Sequence, residues 1–386
     1  MDHKPTAIDL FCGAGGLSEG FREAGFRVFA GNDFDKFAGE TFSATHRDAV
    51  FLSGPIENIN AKDFLKAAGG LKRGELDCLI GGPPCQAFSV YNHQRGMHDK
   101  RSGLFREYLR IVEGLSPKWV VMENVTGITS VGNGRAVREI ILGLQRLGYA
   151  VEKKILRAEE YGVPQERRRI FFLANRVGLP FLWPEPTHGP GLSPFVTVWE
   201  AIGDLPPLSN GEEPGPLPYP YSPKSAYQKL MRGNNTLVYS HAAPCLAPIN
   251  LKRMKHIPKG GSWRDMPLEL LPEGMKRARR CDHTKRYGRM HPDGLSCTIL
   301  TKCDLHWGAF IHPEQDRIIT VREAARLQSF PDWFQFAGSR TDQYIQVGNA
   351  VPPLLGKQIA ESILVGSKKE LLGKPTKRSG QLALAV

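Results

Sequence analysis

"TAIDLFCGAGGLSEGF", residues 6–21, decides how the rest of the chain is read. Residues 6–11 form a short apolar run with a strand pattern. Residues 17–25, "LSEGFREAG", carry a helical pattern that Gly25 stops. Between the two lie Gly13, Gly15 and Gly16. Glycines there allow a tight turn and let a ligand approach the backbone at a helix N-terminus. A second strand is expected at 26–31. Asp33 follows it, 20 positions after Gly13, where an acid that binds ribose hydroxyls belongs. Ser18 stands where a dinucleotide-binding loop has its third glycine, so a ligand without a pyrophosphate fits better. A plain strand-to-helix turn is the bland alternative.

Outward from this unit, "LDCLIG" (76–81) and "KWVVME" (118–123) are further strands with helical stretches between them. Such alternation predicts a parallel sheet flanked by helices. "VEKKIL" (151–156) and "RIFFLAN" (169–175) bracket the loop "RAEEYGVPQERR". If 151–156 runs parallel to the sheet and 169–175 returns antiparallel, that loop lies at the carboxyl edge, where open α/β sheets bind ligands. Cys85 follows Gly81, Gly82, Pro83 and Pro84, which puts a thiol on a stiff turn after a strand, whereas structural cysteines are usually buried. Glu123 closes its strand on the same edge, and Arg167 and Arg169 open theirs. Taken singly, Glu123 reads as a surface carboxylate and the arginines as a salt-bridged loop. Their convergence with Cys85 favours a site, because cationic neighbours lower a thiol's pKa.

The 386 residues are 41% hydrophobic, enough for a core, and carry a net charge of +12 that favours a polyanionic partner. No apolar run reaches the roughly 18 residues of a membrane-spanning helix, and the first residues lack the pattern of a secretory signal. A cytoplasmic protein is expected. Cys12, Cys78, Cys85, Cys245, Cys281, Cys297 and Cys303 are odd in number and contain no CxxC, so reduced thiols are expected, with no metal site. Cys297 and Cys303 fall in what reads as one strand region. Cys281 and His283 lack the partner pair a metal site needs. From residue 180 prolines and glycines dominate and periodicity disappears. Lys276, Arg277, Arg279, Arg280, Lys285, Arg286 and Arg289 then crowd one basic run; a solvated face is the bland alternative. Helical periodicity returns at 320–330, where Thr320 and Glu323 have capping-box spacing. A last helix is expected at about 354–365, with a frayed tail from Gly366.

The chain resembles the DNA (cytosine-5)-methyltransferases of bacterial modification systems. The matching pieces are "DLFCGAGGLSEGF", "GGPPCQAFS", "MENV", "YGVPQERRRIFFLA", "ITVREAARLQSFP" and "VGNAVPP", in family order and spacing. They cover nearly all the chain outside 180–315. The resemblance implies an α/β fold: a Rossmann-like S-adenosylmethionine-dependent methyltransferase sheet over 1–179, a smaller, irregular, mostly-β target-recognition domain over 180–335, a return segment at 336–366 and a flexible tail at 367–386. It implies that Cys85 attacks C6 of a flipped-out cytosine in duplex DNA, that Glu123 protonates N3, and that Arg167 and Arg169, in a pattern begun by Gln165, orient the base. S-adenosylmethionine is the implied cofactor. Its implied contacts are Phe11, Gly13, Gly15, Gly16, Asp33, Phe34, Ile56, Pro83 and Asn349. Pro55 stands where the family has an acid for the adenine amino group, so that contact is lost or moved. Gln86, Ser89, Arg277, Arg279, Arg280, Arg286 and Arg289 are the implied DNA contacts. A monomer is expected, with a separately acting cognate restriction endonuclease compatible with the resemblance. An RNA cytosine-5 methyltransferase of the same fold and a silent DNA-binding regulator are the rivals; the intact Cys85, Glu123 and arginine set speaks against the second.

Overall fold

A computed structural model describes residues 4–84, 103–279 and 281–372. Cys85, Gln86, Ser89 and Arg280 lie outside the described residues.

The first strand, β1 (Thr6–Leu10), is buried along its whole length and leads through the glycine loop into α1 (Gly16–Glu23). In order follow β2 (Arg27–Asp33), α2 (Lys36–Thr45), β3 (Val50–Ser53), α3 (Ala61–Ala67), β4 (Cys78–Gly81), α4 (Leu104–Leu115), β5 (Trp119–Val125), α5 (Arg135–Arg146), β6 (Ala150–Arg157) and β7 (Arg168–Asn175). The sheet order is β3-β2-β1-β4-β5-β7-β6. β1 to β5 pair in parallel, whereas β7 pairs antiparallel with both β5 and β6. The 157–168 loop therefore reaches the carboxyl edge, as its sequence suggested. Strand order reverses between β1 and β4, which places the glycine loop and the Pro83–Pro84 segment side by side at the switch point where open α/β sheets hold ligands.

Both faces of the sheet are covered, so the central strands read as continuous apolar runs. Phe64, Tyr108, Ile111, Val112, Ile140 and Leu144 from α3, α4 and α5 cover one face. Leu17 and Phe21 of α1 and Phe42 of α2 cover the other, with Leu355, Ile359 and Ile363 of the last helix. Edge strand β6 is largely exposed and carries Glu152, Lys153 and Lys154, charges that discourage pairing with another chain.

After β7 the chain builds a second core from α6 (Val198–Ile202), the two-residue strands β8 (Leu217–Pro218) and β9 (Leu237–Val238), α7 (Ala226–Arg232), α8 (Pro248–Met254), α9 (Glu273–Lys276), α10 (Val321–Leu327) and α11 (Arg340–Asn349). Its apolar cluster runs from Val198 to Val347 and takes in Ala14 of the glycine loop. Buried ion pairs stitch it: Arg326 to Asp204 at 2.9 Å and Asp332 at 2.6 Å, and Arg317 to Glu323 at 2.7 Å. The mostly-β expectation needs correction here. Among the described residues strand pairing is confined to β8 with β9 and a few isolated bridges. Proline cannot donate to a ladder, and this region is rich in it. Cys297 and Cys303 share no strand. The Thr320 capping box is present as expected. The last helix, α12 (Pro353–Leu372), packs along α1 and runs past the expected end at 365.

Candidate active site

Five parallel strands and one loop deliver the functional side chains to one edge. At the end of β1 the backbone turns at Phe11, which is left-handed with φ 56°, a conformation that costs an aromatic residue about 1–3 kcal/mol. The turn is held by Cys12, whose N–H donates to the Asn32 carbonyl at 2.9 Å. Gly13 follows at φ +52°, and among the described residues nothing lies within 4 Å of where its Cβ would be. Gly15 precedes α1 as its N-cap. Gly16 lies flat on the 350–351 backbone: a Cβ would come within 2.5 Å of the Val351 carbonyl oxygen. The glycine loop is thus open at Gly13 and closed at Gly16.

Asp33 ends β2 and accepts the Gly13 N–H at 2.8 Å and the Asp35 N–H at 3.0 Å. Burial raises its pKa, while these backbone donors act in the opposite sense. Phe34 is 70% exposed beside it. Ile56 points into the core under the sheet, and the Pro55 position supplies no carboxylate. Pro83 is buried, and Asn349 is exposed at the end of α11. Phe11, Gly13, Asp33 and Phe34 thus share one rim.

Glu123 is buried on β5. Arg169 sits opposite Val125 in the register, so its side chain is the diagonal same-face neighbour of Glu123. The Arg169 Nε lies 2.9 Å from the Glu123 carboxylate. Burial raises the Glu123 pKa, and the guanidiniums of Arg169 and Arg167 pull it back down in part. Asn124, beside Glu123, donates its Nδ2 to the Pro83 carbonyl at 3.0 Å and accepts the Val125 N–H at 2.9 Å. It ties β5 to the segment entering Cys85. Sequence reasoning passed over Asn124, although it stands inside "MENV"; an amide directly after the carboxylate at a predicted strand end was the available signal.

Arg167 departs from expectation. It is 1% exposed and donates to the carbonyls of Gly348, Ala350 and Ile299 at 3.1, 2.8 and 3.3 Å. Its terminal nitrogens are taken up by these carbonyls, while its charge still acts on Glu123 and Arg169.

Residues 6–365 match the family model described as C-5 cytosine-specific DNA methylase. The chain belongs to that family. It is 36% identical to the Type II methyltransferase M.AgeI of Thalassovita gelatinovora, over 93% of this chain and 99% of the relative. It is also 36% identical to the Type II methyltransferase M1.HphI of Haemophilus parahaemolyticus, over 93% of this chain and 86% of the relative. A crystal structure from E. coli, described as a DNA modification methyltransferase encoded within a prophage, superposes with TM-score 0.76 at 24% identity, covering 94% of this chain and 99% of that one. That likeness shows the shared fold. The protein is a DNA (cytosine-5)-methyltransferase, and its reaction requires a methyl donor.

The basic run of this methyltransferase divides. Arg277 and Arg279 are exposed, Arg279 pairing with Asp282 at 3.1 Å, and Arg286 is half-buried. Arg289 is 7% exposed and donates to the carbonyls of Met254, Ile257, His312 and Gln315 and, at 2.5 Å, to Asp316. Its expected DNA contact is therefore corrected: the guanidinium is an internal fastener. No helix among the described residues is long and apolar enough to cross a membrane.

Proposed function

We propose that this chain methylates C5 of a cytosine within a specific duplex DNA site, with Cys85 as covalent nucleophile, Glu123 as proton donor and S-adenosylmethionine as methyl donor. The observation that carries it is the Glu123–Arg169 pair at 2.9 Å, one residue from the Asn124 tie to the loop that leads into Cys85. The target atoms are shielded in a stacked duplex, so the base must be flipped out.

The rim fits an adenosyl group on three counts. Gly13 leaves room above the loop, Asp33 offers a carboxylate at ribose position, and Phe34 exposes a ring beside it. Phe11, Gly15, Gly16, Pro83 and Asn349 complete the set assigned to it, whereas Ile56 packs within the apolar core. When bound, S-adenosylmethionine supplies the methyl group.

The protein's own part runs as follows. The Cys85 thiolate adds to C6, and Glu123 gives a proton to N3, which turns the ring into an enamine nucleophilic at C5. Arg169 holds the Glu123 carboxyl in place. After C5 has been methylated, loss of its proton and cleavage of the S–C6 bond free Cys85. Gln86 and Ser89 of the Cys85 loop, with Arg277, Arg279, Arg280 and Arg286 of the basic run, are assigned to DNA. The Type II relatives support a modification role at a short site beside a separately acting nuclease.

The test is covalent trapping. Duplex DNA with 5-fluorocytosine at the target should trap the wild type in the presence of S-adenosylmethionine. Cys85→Ala should give no adduct yet still bind the cofactor. An adduct in the alanine variant overturns the assignment, and bisulfite sequencing of an expressing host identifies the site.

A further inference from the structure

Arg167 is a fully buried cation two residues before Arg169, and among the described residues no carboxylate pairs with its guanidinium directly. Backbone oxygens surround it instead: Gly348 and Ala350 take one guanidinium nitrogen, and Ile299 takes another. Its own N–H donates to Glu159 at 3.2 Å, and its carbonyl accepts the Ala158 N–H at 2.8 Å, so its main chain is fixed as well. Burial drives its pKa well below the ordinary arginine value, with Arg169 adding to the effect. Holding such a charge out of water is costly unless donors and acceptors are matched; three carbonyls match its two terminal nitrogens, while its Nε is buried without a hydrogen-bond partner among the described residues.

The partners are informative. Gly348 and Ala350 flank Asn349, and Ala350–Val351 rest against Gly16 of the glycine loop. Gln328 adds a second donor to the Ala350 carbonyl at 3.0 Å and one to Val347 at 2.9 Å, and Gln165 donates to Gln328 in turn. Two residues beyond Arg167 on the same strand entry, Arg169 pairs with Glu123.

We propose that Arg167 is a positioning residue for the cofactor loop and makes no contact with the target base: its guanidinium seats the 348–351 turn against Gly16 from the strand entry that aims Arg169 at Glu123. The inference rests on the assignment of the glycine loop to S-adenosylmethionine. Arg167 and Arg169, alike in sequence, do different work. Arg169 serves the carboxylate on the open edge, and Arg167 faces inward and sets the floor of the loop.

The test uses the full chain with Arg167→Lys, since an ammonium cannot span three carbonyls as a guanidinium does. S-adenosylmethionine affinity is measured by calorimetry, beside single-turnover methylation and 5-fluorocytosine trapping at saturating cofactor. The expected result is cofactor affinity weaker by about tenfold or more. Trapping and single-turnover rate return to near wild type once cofactor saturates. Unchanged cofactor affinity, or trapping that stays lost at saturation, overturns the proposal in favour of a base contact. Gln328→Met removes the neighbouring donor to Ala350 without stranding a charge. It must weaken cofactor binding in the same direction, and unchanged affinity in that folded variant also overturns the proposal. Phe34→Ala is the control for the site itself: if it binds S-adenosylmethionine as the wild type does, the cofactor assignment fails, separately from the role of Arg167.

Discussion

The Nε of Arg169 lies 2.9 Å from the carboxylate of Glu123, and both side chains are almost closed to solvent. Burial favours the neutral acid and the guanidinium favours the anion; the balance leaves the Glu123 pKa raised. A general acid must carry its proton, so the rate should be sustained below that raised pKa and fall as pH rises through it. Arg169→Gln removes the cation and should move the alkaline limb of the single-turnover profile to higher pH. A limb that moves to lower pH, or stays put, would detach Arg169 from the ionisation of Glu123. Glu123→Gln should lower the rate by about 10² to 10⁴.

The Asn124–Pro83 hydrogen bond gives a second handle. Asn124 is 3% exposed, so replacing it with alanine leaves a buried carbonyl without its donor, at about 1–3 kcal/mol. The effect should concentrate on the step that needs the Cys85 loop in place. Asn124→Ala should slow adduct formation with 5-fluorocytosine DNA, leaving S-adenosylmethionine affinity near wild type by calorimetry. Wild-type trapping kinetics in the folded variant would show that Pro83 needs no such tie.

Arg286 and Arg289, three residues apart, should behave oppositely. Arg289→Ala leaves four carbonyls without their donor, a loss of at least about 1–3 kcal/mol that thermal melting would register. Arg286→Ala should leave the melting temperature nearly unchanged and reduce the slope of log K against log salt for DNA by about 0.9 if it meets a phosphate. Replacing exposed Lys276 and Arg277 together should flatten that slope by roughly one to two units. Unaltered slopes at all three positions would make the run an ordinary solvated face.

That contrast also marks where sequence reasoning reached its limit. The sheet was legible because its strands are apolar runs punctuated by glycine, whereas the antiparallel return of β7 entered only as a condition, which the pairing of β7 with β5 and β6 meets. β3, four residues of mixed burial, left too weak a pattern to find. Arg289 and Arg167 look like any other basic residue in a line of letters. Burial is decided by which carbonyls converge on them, and those carbonyls come from segments 23 to 35 residues away for Arg289 and 132 to 183 away for Arg167. The recognition region was misjudged for a related reason: its core is assembled from scattered apolar side chains and buried ion pairs, which leave no period-2 pattern.

Asp9, under the glycine loop, sets a pH dependence of stability. It is 1% exposed, and its pKa is pushed up to about 7, chiefly by burial. The Ser18 hydroxyl, donating to it at 2.7 Å, opposes the shift, and the charge of Asp33 adds to it. The sign follows from linkage. The folded state binds the proton more tightly than the unfolded chain, whose aspartate titrates near ~3.9, so this contribution is complete below that value and is lost as pH rises towards 7. Buried His46 and His312, pushed down to about 4 and about 3 mainly by burial, act in the opposite sense below their unfolded value of about 6.5. The difference between Asp9→Asn and wild type isolates the aspartate from them. The substituted amide cannot ionise, so the variant should gain on the wild type by about 2 kcal/mol between pH 5 and pH 7, read from urea unfolding at each pH. Parallel stability curves for the two proteins would place the Asp9 ionisation outside this window.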